Sequence, residues 1–212
     1  MKLLKRLIPC FIFPLLLWGC MGAKKPQAIF ADPAFTEPMK VAVLPFENES
    51  LDIDADDVFR ELFYLGLKEK GYVVAPAEEV DATLNAMGIS EGGQLAAYKK
   101  PDLQRKLKVD ALFFGDLKEV KYLTVGIKKE KTVVAYAALY NGDKKLWEDE
   151  KKYSEKEYSL NPLSGLQKQL ATKLTEKALK DYSGHPFYNH IQNCVYQLQA
   201  TLPGERVEKS GW

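Results

Sequence analysis

The sequence predicts an α+β fold, in two or three layers, built on a mixed sheet of about five strands. Three observations point there. A strand–helix–strand pattern runs from Lys40 to Ala75. Two long apolar runs, Ala111–Val125 and Thr132–Tyr140, carry turn signals after them. An amphipathic helical pattern follows Asn161-Pro162. The expected order is thus an N-terminal βαβ unit, an antiparallel meander and a C-terminal helix. Hydrophobic residues make up 46% and charged residues 28% of the chain, the composition of a folded protein.

The first strand is Lys40-Val-Ala-Val-Leu, ended by Pro45, and Glu47 to Asp52 has loop composition. Val58, Phe59, Leu62, Phe63 and Leu65 then recur at helical spacing, with Asp54 or Asp56 as cap, Lys68 and Lys70 in the last turn and Gly71 as stop. Tyr72-Val-Val-Ala reads as a second buried strand. A helix between two strands makes the strands parallel. Pro76 opens a second helix with Val80, Leu84 and Met87 on one face, Gly92-Gly93 marks a turn, and a short helix spans Asp102–Lys108.

From Ala111 the pattern changes. Ala111-Leu-Phe-Phe-Gly is apolar on both faces and continues to Val125 as a long strand; Lys128–Lys131 reads as a charged turn. Thr132–Tyr140 fits a central strand, and Asn141-Gly-Asp143 is a hairpin signal leading to Leu146-Trp147. The charged stretch Glu148–Glu157 reads as an edge strand whose charges discourage pairing with other chains. Leu163, Leu166, Leu170, Leu174 and Ala178 space a helix ending near Gly184. Phe187, Ile191, Val195 and Leu198 space a short docking helix before a polar tail.

Charge divides the chain. The whole carries +1, but Lys2, Lys5 and Arg6 precede the apolar run Leu7–Trp18, and no acid occurs before Asp32. That run is shorter than the roughly 20 residues a spanning helix needs, and Pro9 and Pro14 interrupt it. A basic segment, a short apolar core and small residues describe a secretory signal. Leu17-Trp18-Gly19-Cys20 resembles the lipobox of bacterial lipoproteins, although Trp18 is larger than that position usually holds. The resemblance implies cleavage between Gly19 and Cys20, diacylglycerol on the Cys20 thiol and acylation of the new amino terminus. Met21, rather than Asp, follows the Cys, which implies the outer membrane, periplasmic face. Residues 1–19 are then leader, 20–38 a lipidated tether, 39–183 the α/β domain, and 184–212 a docking segment and tail. A mature chain of near-zero charge excludes a nucleic-acid binder, which needs a basic face to displace counterions. Cys194 alone would remain as a thiol. It is either a small buried hydrophobe or a site of intermolecular pairing.

Val41-Ala-Val-Leu-Pro-Phe-Glu-Asn, the helix after it, Val109-Asp-Ala-Leu-Phe-Phe-Gly and Asn141-Gly-Asp-Lys-Lys-Leu-Trp resemble, in that order, a family of bacterial lipoproteins of unknown function. Its fold is similar to the TolB N-terminal domain and the curli-secretion protein CsgG. The resemblance implies a periplasm-facing domain in a homo-oligomer or with other envelope lipoproteins, and it transfers no catalytic residue. No pair of long alternating hairpins is visible, so a pore is not expected.

Sites are few. Glu47, Asn48, Glu49, Asp52, Asp54, Asp56 and Asp57 crowd the loop after the first strand, at the end where open α/β sheets place ligands. Such carboxylates suit a divalent cation, but acids in a solvated loop and at a helix start are the commoner case. His185, His190 and Cys194 are of zinc-binding type, yet docking or surface roles are again commoner. Trp147 is a core residue or a partner anchor. Neither a catalytic constellation nor a cofactor motif occurs, so no enzyme, metal or cofactor is expected. The leading reading is a tethered interaction or assembly component. A small envelope enzyme or metal-dependent hydrolase using the acidic loop, and a tethered ligand-binding module with an enclosed apolar pocket, are the alternatives.

Overall fold

A computed structural model describes residues 27–35, 39–158 and 184–203. One mixed sheet organises them, its strands being β1 (Phe30–Ala31), β2 (Lys40–Val43), β3 (Glu47–Asn48), β4 (Val73–Val74), β5 (Ala111–Val125), β6 (Lys128–Asn141) and β7 (Lys144–Tyr158). The order across it is β1-β7-β6-β5-β2-β4, with β3 also on β5. The expected α+β class and parallel βαβ unit are present: β2 pairs in parallel with β4 on one side and with β5 on the other. Two strands more than expected arise because β1 and β3 are two-residue pairings too short to leave a periodic trace. β1 lies within the span read as tether.

Alternation along β2 makes three layers at this end. Val41 and Val43 face one core with helix α1 (Ala55–Glu69) and helix α4 (Tyr188–Gln199). Ala42 and Leu44 face a second core with helix α2 (Ala77–Asn85), a 3-10 helix (Gly92–Ala97) and helix α3 (Lys100–Leu107). Covered on both faces, a short parallel strand must be apolar throughout, as Val-Ala-Val-Leu is.

Three expectations are corrected. Val73 is 64% exposed, so the second strand of the βαβ unit is a half-open edge rather than a buried strand. Gly92-Gly93 opens a 3-10 helix instead of a turn. Lys128–Lys131 is not a turn: the chain reverses at Gly126-Ile127, where Gly126 takes φ +59°, and the charged residues already belong to β6. The helix expected from Asn161 to near Gly184 lies, up to residue 183, outside the described residues. The docking helix is α4, with Ile191, Cys194, Val195 and Leu198 buried.

α4 is held against α1 at one tight point. Gln199, buried, donates from Nε2 to the carbonyl of Phe63 (2.7 Å) and lies over Gly66, where a Cβ would overlap its amide. Gly66→Ala should therefore dislodge Gln199 and cost about 1–3 kcal/mol, the usual range for overpacking. In chemical denaturation, Gly66→Ala with Gln199→Ala should cost less than the two single changes summed, because the second removes what the first strikes.

Candidate functional site

The parallel pairing of β2 with β5 carries the chain through Leu44-Pro45-Phe46 to β3, which joins β5 with Glu47 opposite Asp116 and Asn48 opposite Leu117. Phe46 can cross here because Gly115 has no Cβ; one would lie 2.6 Å from the Phe46 ring. On its other side a Cβ at Gly92 would strike the Phe46 backbone, so the 3-10 helix sits flush against the crossing. Between that helix and β5–β6 lies an open cleft of about 320 Å³, lined by Glu47, Leu95, Tyr98, Lys100, Phe114, Asp116, Tyr136 and Tyr140 among others.

Its wall is already paired. Lys100 Nζ sits 4.6 Å from the Tyr140 ring centre and 5.5 Å from that of Phe114, and those two rings meet edge to face. Tyr136 donates its hydroxyl proton to Glu148 Oε2 (2.7 Å), and Lys145 Nζ donates to the same oxygen (2.6 Å). These bonds, the one from Lys145 first, hold Glu148 below the usual carboxylate range. The floor is not paired. Asp116 Oδ1 is sealed from solvent with no hydrogen-bond partner, while Lys118 Nζ is engaged by Glu150 Oε2 at 2.5 Å. Burial, then the charges of Glu49 and Glu47, push the Asp116 carboxyl up to about 6. Such a site can accept a proton, a cation or a donor group. Among the described residues that line it there is no serine, threonine, cysteine or histidine.

The acidic loop is braced from within. Asn48 Nδ2 donates to the Asp52 carbonyl and to Asp56 Oδ1, both at 2.8 Å, and Asn48 Oδ1 accepts from Ser50 N and Oγ. Asn48 is thus spent on loop geometry, whereas Glu47 and Glu49 are exposed beside Asp116. His185 accepts from Phe187 N at Nδ1 and places Nε2 3.1 Å from Asp52 Oδ1. His190 packs between Tyr153 and Phe187, its Nε2 3.1 Å from Glu155 but out of hydrogen-bonding alignment. Burial first lowers its pKa. The Cys194 thiol donates to the Lys151 carbonyl, and burial pushes it up to about 12. The histidines and the cysteine therefore face different partners. Among the described residues no group of three or more metal-ligating side chains forms.

Of the two readings of Trp147, core residue or partner anchor, its burial fits the first. It is fully buried and stacks edge to face on Phe113, with Nε1–H donating to Thr201 Oγ1 at 3.1 Å. Sequence reasoning also missed two features. One is Asp116, whose signal was a lone carboxylate following a run apolar on both faces. The other is Leu51 and Ile53, 99% and 87% exposed, which alternate with acids in Leu51-Asp-Ile-Asp54. Among the described residues no helix is long and apolar enough to cross a membrane.

Fold and site together define a class: an α+β domain with a paired aromatic wall, a carboxylate with one buried, unpartnered oxygen, and no catalytic array among the described residues. The family described as "Putative lipoprotein GNA1162-like" matches residues 30–188, and the chain belongs to it. The crystal structure of lipoprotein GNA1162 from Neisseria meningitidis is 27% identical, with a TM-score of 0.53 over 65% of this chain and 95% of that one. The PelC dodecamer from Paraburkholderia phytofirmans is 15% identical (83% and 96% covered, TM-score 0.47). The LpoB C-terminal domain from Salmonella enterica is 12% identical (57% and 86% covered, TM-score 0.40). No curated protein matches. The family expected from sequence is thus found; likeness to TolB and CsgG rests on the order of sequence elements alone.

The sign of the Asp116 shift gives a test. Its folded-state pKa lies above the unfolded value, so the folded protein holds the proton more tightly, and stability is lost as pH rises from about 4 through about 6. Asp116→Asn should match the parent near pH 4 and exceed it above pH 7, by about 1–2 kcal/mol once solvent screening is allowed for. Thermal melts across this range would show the gap opening; a gap independent of pH contradicts the assignment.

Proposed function

We propose that the protein is a lipid-anchored lipoprotein of the outer membrane, facing the periplasm, that acts without catalysis as an interaction or assembly component of an envelope complex. The observation that carries this is Leu17-Trp18-Gly19-Cys20, placed seven residues ahead of Gln27 and followed by a domain of a lipoprotein family. Lipid on both the Cys20 thiol and amino group supplies the two or more chains that stable anchoring requires, and Met21 favours the outer membrane. A family described as lipoprotein rather than by a reaction supports the non-enzymatic reading. Metabolic labelling with a palmitate analogue should mark the mature chain and fail to mark Cys20→Ala; equal labelling of both would overturn the anchor.

The partner surface is assigned to the loop after β3. Leu51 and Ile53 stand almost wholly in solvent on a loop that Asn48 and Ser50 hold in one shape, so their exposure carries little ordering cost on binding. The partner is a second copy or another envelope lipoprotein. Crosslinking in native envelopes should yield a discrete adduct, lost in Leu51→Ser/Ile53→Ser although that variant melts at the parental temperature. Retention of the adduct removes this surface from the proposal.

A second reading has one observation behind it. The unpartnered Asp116 Oδ1 under an open cleft suits a small ligand that presents a cation or hydrogen-bond donor. The cleft is open and half polar, unlike the enclosed apolar pocket expected of a ligand module.

A further inference from the structure

The three long strands do not end with the body. As far as Val120 on β5 and Thr132 on β6 the strands keep buried residues in the body, but every residue from Lys121 to Ile127 is exposed, as is Ser154–Tyr158 on β7. What remains is a three-stranded arm whose end is apolar: Val125 is 63%, Ile127 53%, Tyr158 71%, Leu123 41% and Tyr122 39% exposed. Val125, Lys128 and Tyr158 stand in one cross-strand row, so their side chains share a face. A soluble hairpin end gains nothing from such residues, since turns are ordinarily polar. The opposite end of the same sheet is of that ordinary kind, with Asn141, Asp143 and Lys144 exposed.

The direction of the tether decides what the arm meets. β1 runs antiparallel to β7, with Phe30 opposite Glu148 and Ala31 opposite Trp147. Residues preceding β1 therefore leave toward the arm's end, and Lys151 Nζ still reaches the Gln27 carbonyl at 3.5 Å. At this register Gln27 is level with Lys151, seven residues short of Tyr158, and Cys20 lies seven residues before Gln27. Seven residues of β7 rise about 24 Å, and seven extended residues reach at most about 25 Å. The lipid on Cys20 therefore lies no farther than about 25 Å from Gln27, a reach that includes the arm's end.

We propose that the end of the β5–β6–β7 arm is a second membrane contact, resting in the interfacial layer of the bilayer that holds the Cys20 lipid. This rests on the anchor reading above and adds the orientation of the domain. The chemistry fits the layer. Tyr122 and Tyr158 are of the type that settles at the headgroup level. Val125, Leu123 and Ile127 offer apolar area just beyond it, and Lys121, Lys128, Lys129 and Lys156 carry long stems that reach back to the headgroups.

The test places a reporter at each end of the sheet in the full-length lipidated chain. Ile127→Cys and Asp143→Cys each add one accessible thiol, because Cys194 is fully buried and Cys20 is consumed by lipid; Val125→Cys is an independent second reporter at the arm. An environment-sensitive dye on each thiol is read in phosphatidylethanolamine–phosphatidylglycerol vesicles with and without brominated acyl chains. The dyes at 127 and 125 should shift to the blue on vesicle binding and be quenched several-fold more than the dye at 143. Equal quenching at both ends overturns the proposal. So does a dye at 127 that is shielded before vesicles are added and unchanged by them, which would assign the cover to residues 159–183 or to a second copy. The mass of the same sample separates the two readings. A chain with no lipid on Cys20 defeats the anchor and this contact with it, whereas a lipidated, vesicle-bound chain with an unquenched arm defeats the contact alone.

Discussion

Phe46 packed on Gly115 is the contact on which the rest of the molecule depends. β5 needs partners on both edges, and β2 supplies only the stretch from Ala111 to Phe113. To continue the pairing the chain must step over Gly115 and rejoin β5 as β3, which the missing Cβ allows and any other residue there would obstruct. The step buries the Phe46 ring against Phe59 and Phe63 at 5.0 and 5.7 Å, so the crossing and the docking of α1 form together. It also sets Glu47 beside Asp116, making the cleft floor a consequence of the same geometry.

From Phe46 the aromatic contacts run on through Phe63 and Phe113 to Trp147. Trp147 passes the connection to polar groups. Its indole donates to Thr201, whose hydroxyl reaches the buried Asp149 carboxylate at 2.9 Å, while Lys151 Nζ meets the same carboxylate at 2.6 Å. A fully buried carboxyl group is tolerable only when so surrounded. Lys151 in turn contacts the Gln27 carbonyl. One continuous set of contacts therefore joins the cleft, the end of α4 and the point where the tether enters, although these lie far apart in sequence.

What the sequence disclosed follows from how each element is stabilised. α1 and α4 were legible because burial of one face imposes helical spacing on Val58, Phe59, Leu62 and Phe63 and on Ile191, Val195 and Leu198. β2 and the inner part of β5 were legible because both faces are covered. Within the arm, only the start of β6 was misread. Exposed on both sides, the arm needs no apolar alternation, so Lys128–Lys131 looked like a turn while the actual reversal rested on one glycine at positive φ. The site was only half legible. Glu47 and Glu49 announced themselves by composition, but Asp116 becomes their neighbour through a pairing two residues long, which leaves no periodic mark.

Parallel and antiparallel pairing together give the sheet two unlike ends. β2, β3 and β5 run the same way, so the acidic loop and the arm both emerge at their carboxyl end, where such sheets leave room for ligands. β6 reverses, carrying its turn into β7 to the other end, and there Gln104 of α3 closes it, accepting from Gly142 N and donating to the Asn141 side chain and the Asp110 carbonyl. One end is therefore capped by its own hydrogen bonds and polar, and the other holds an unpaired carboxylate, the exposed Leu51 and Ile53, and an apolar arm. Beyond β1 the outer edge of β7 is lined by Lys152, Glu155, Lys156 and Glu157, charges that oppose strand addition along it. With the outer edge of β7 charged and the far end capped, the exposed apolar side chains of Leu51, Ile53, Val125, Ile127 and Tyr158 collect at the carboxyl end.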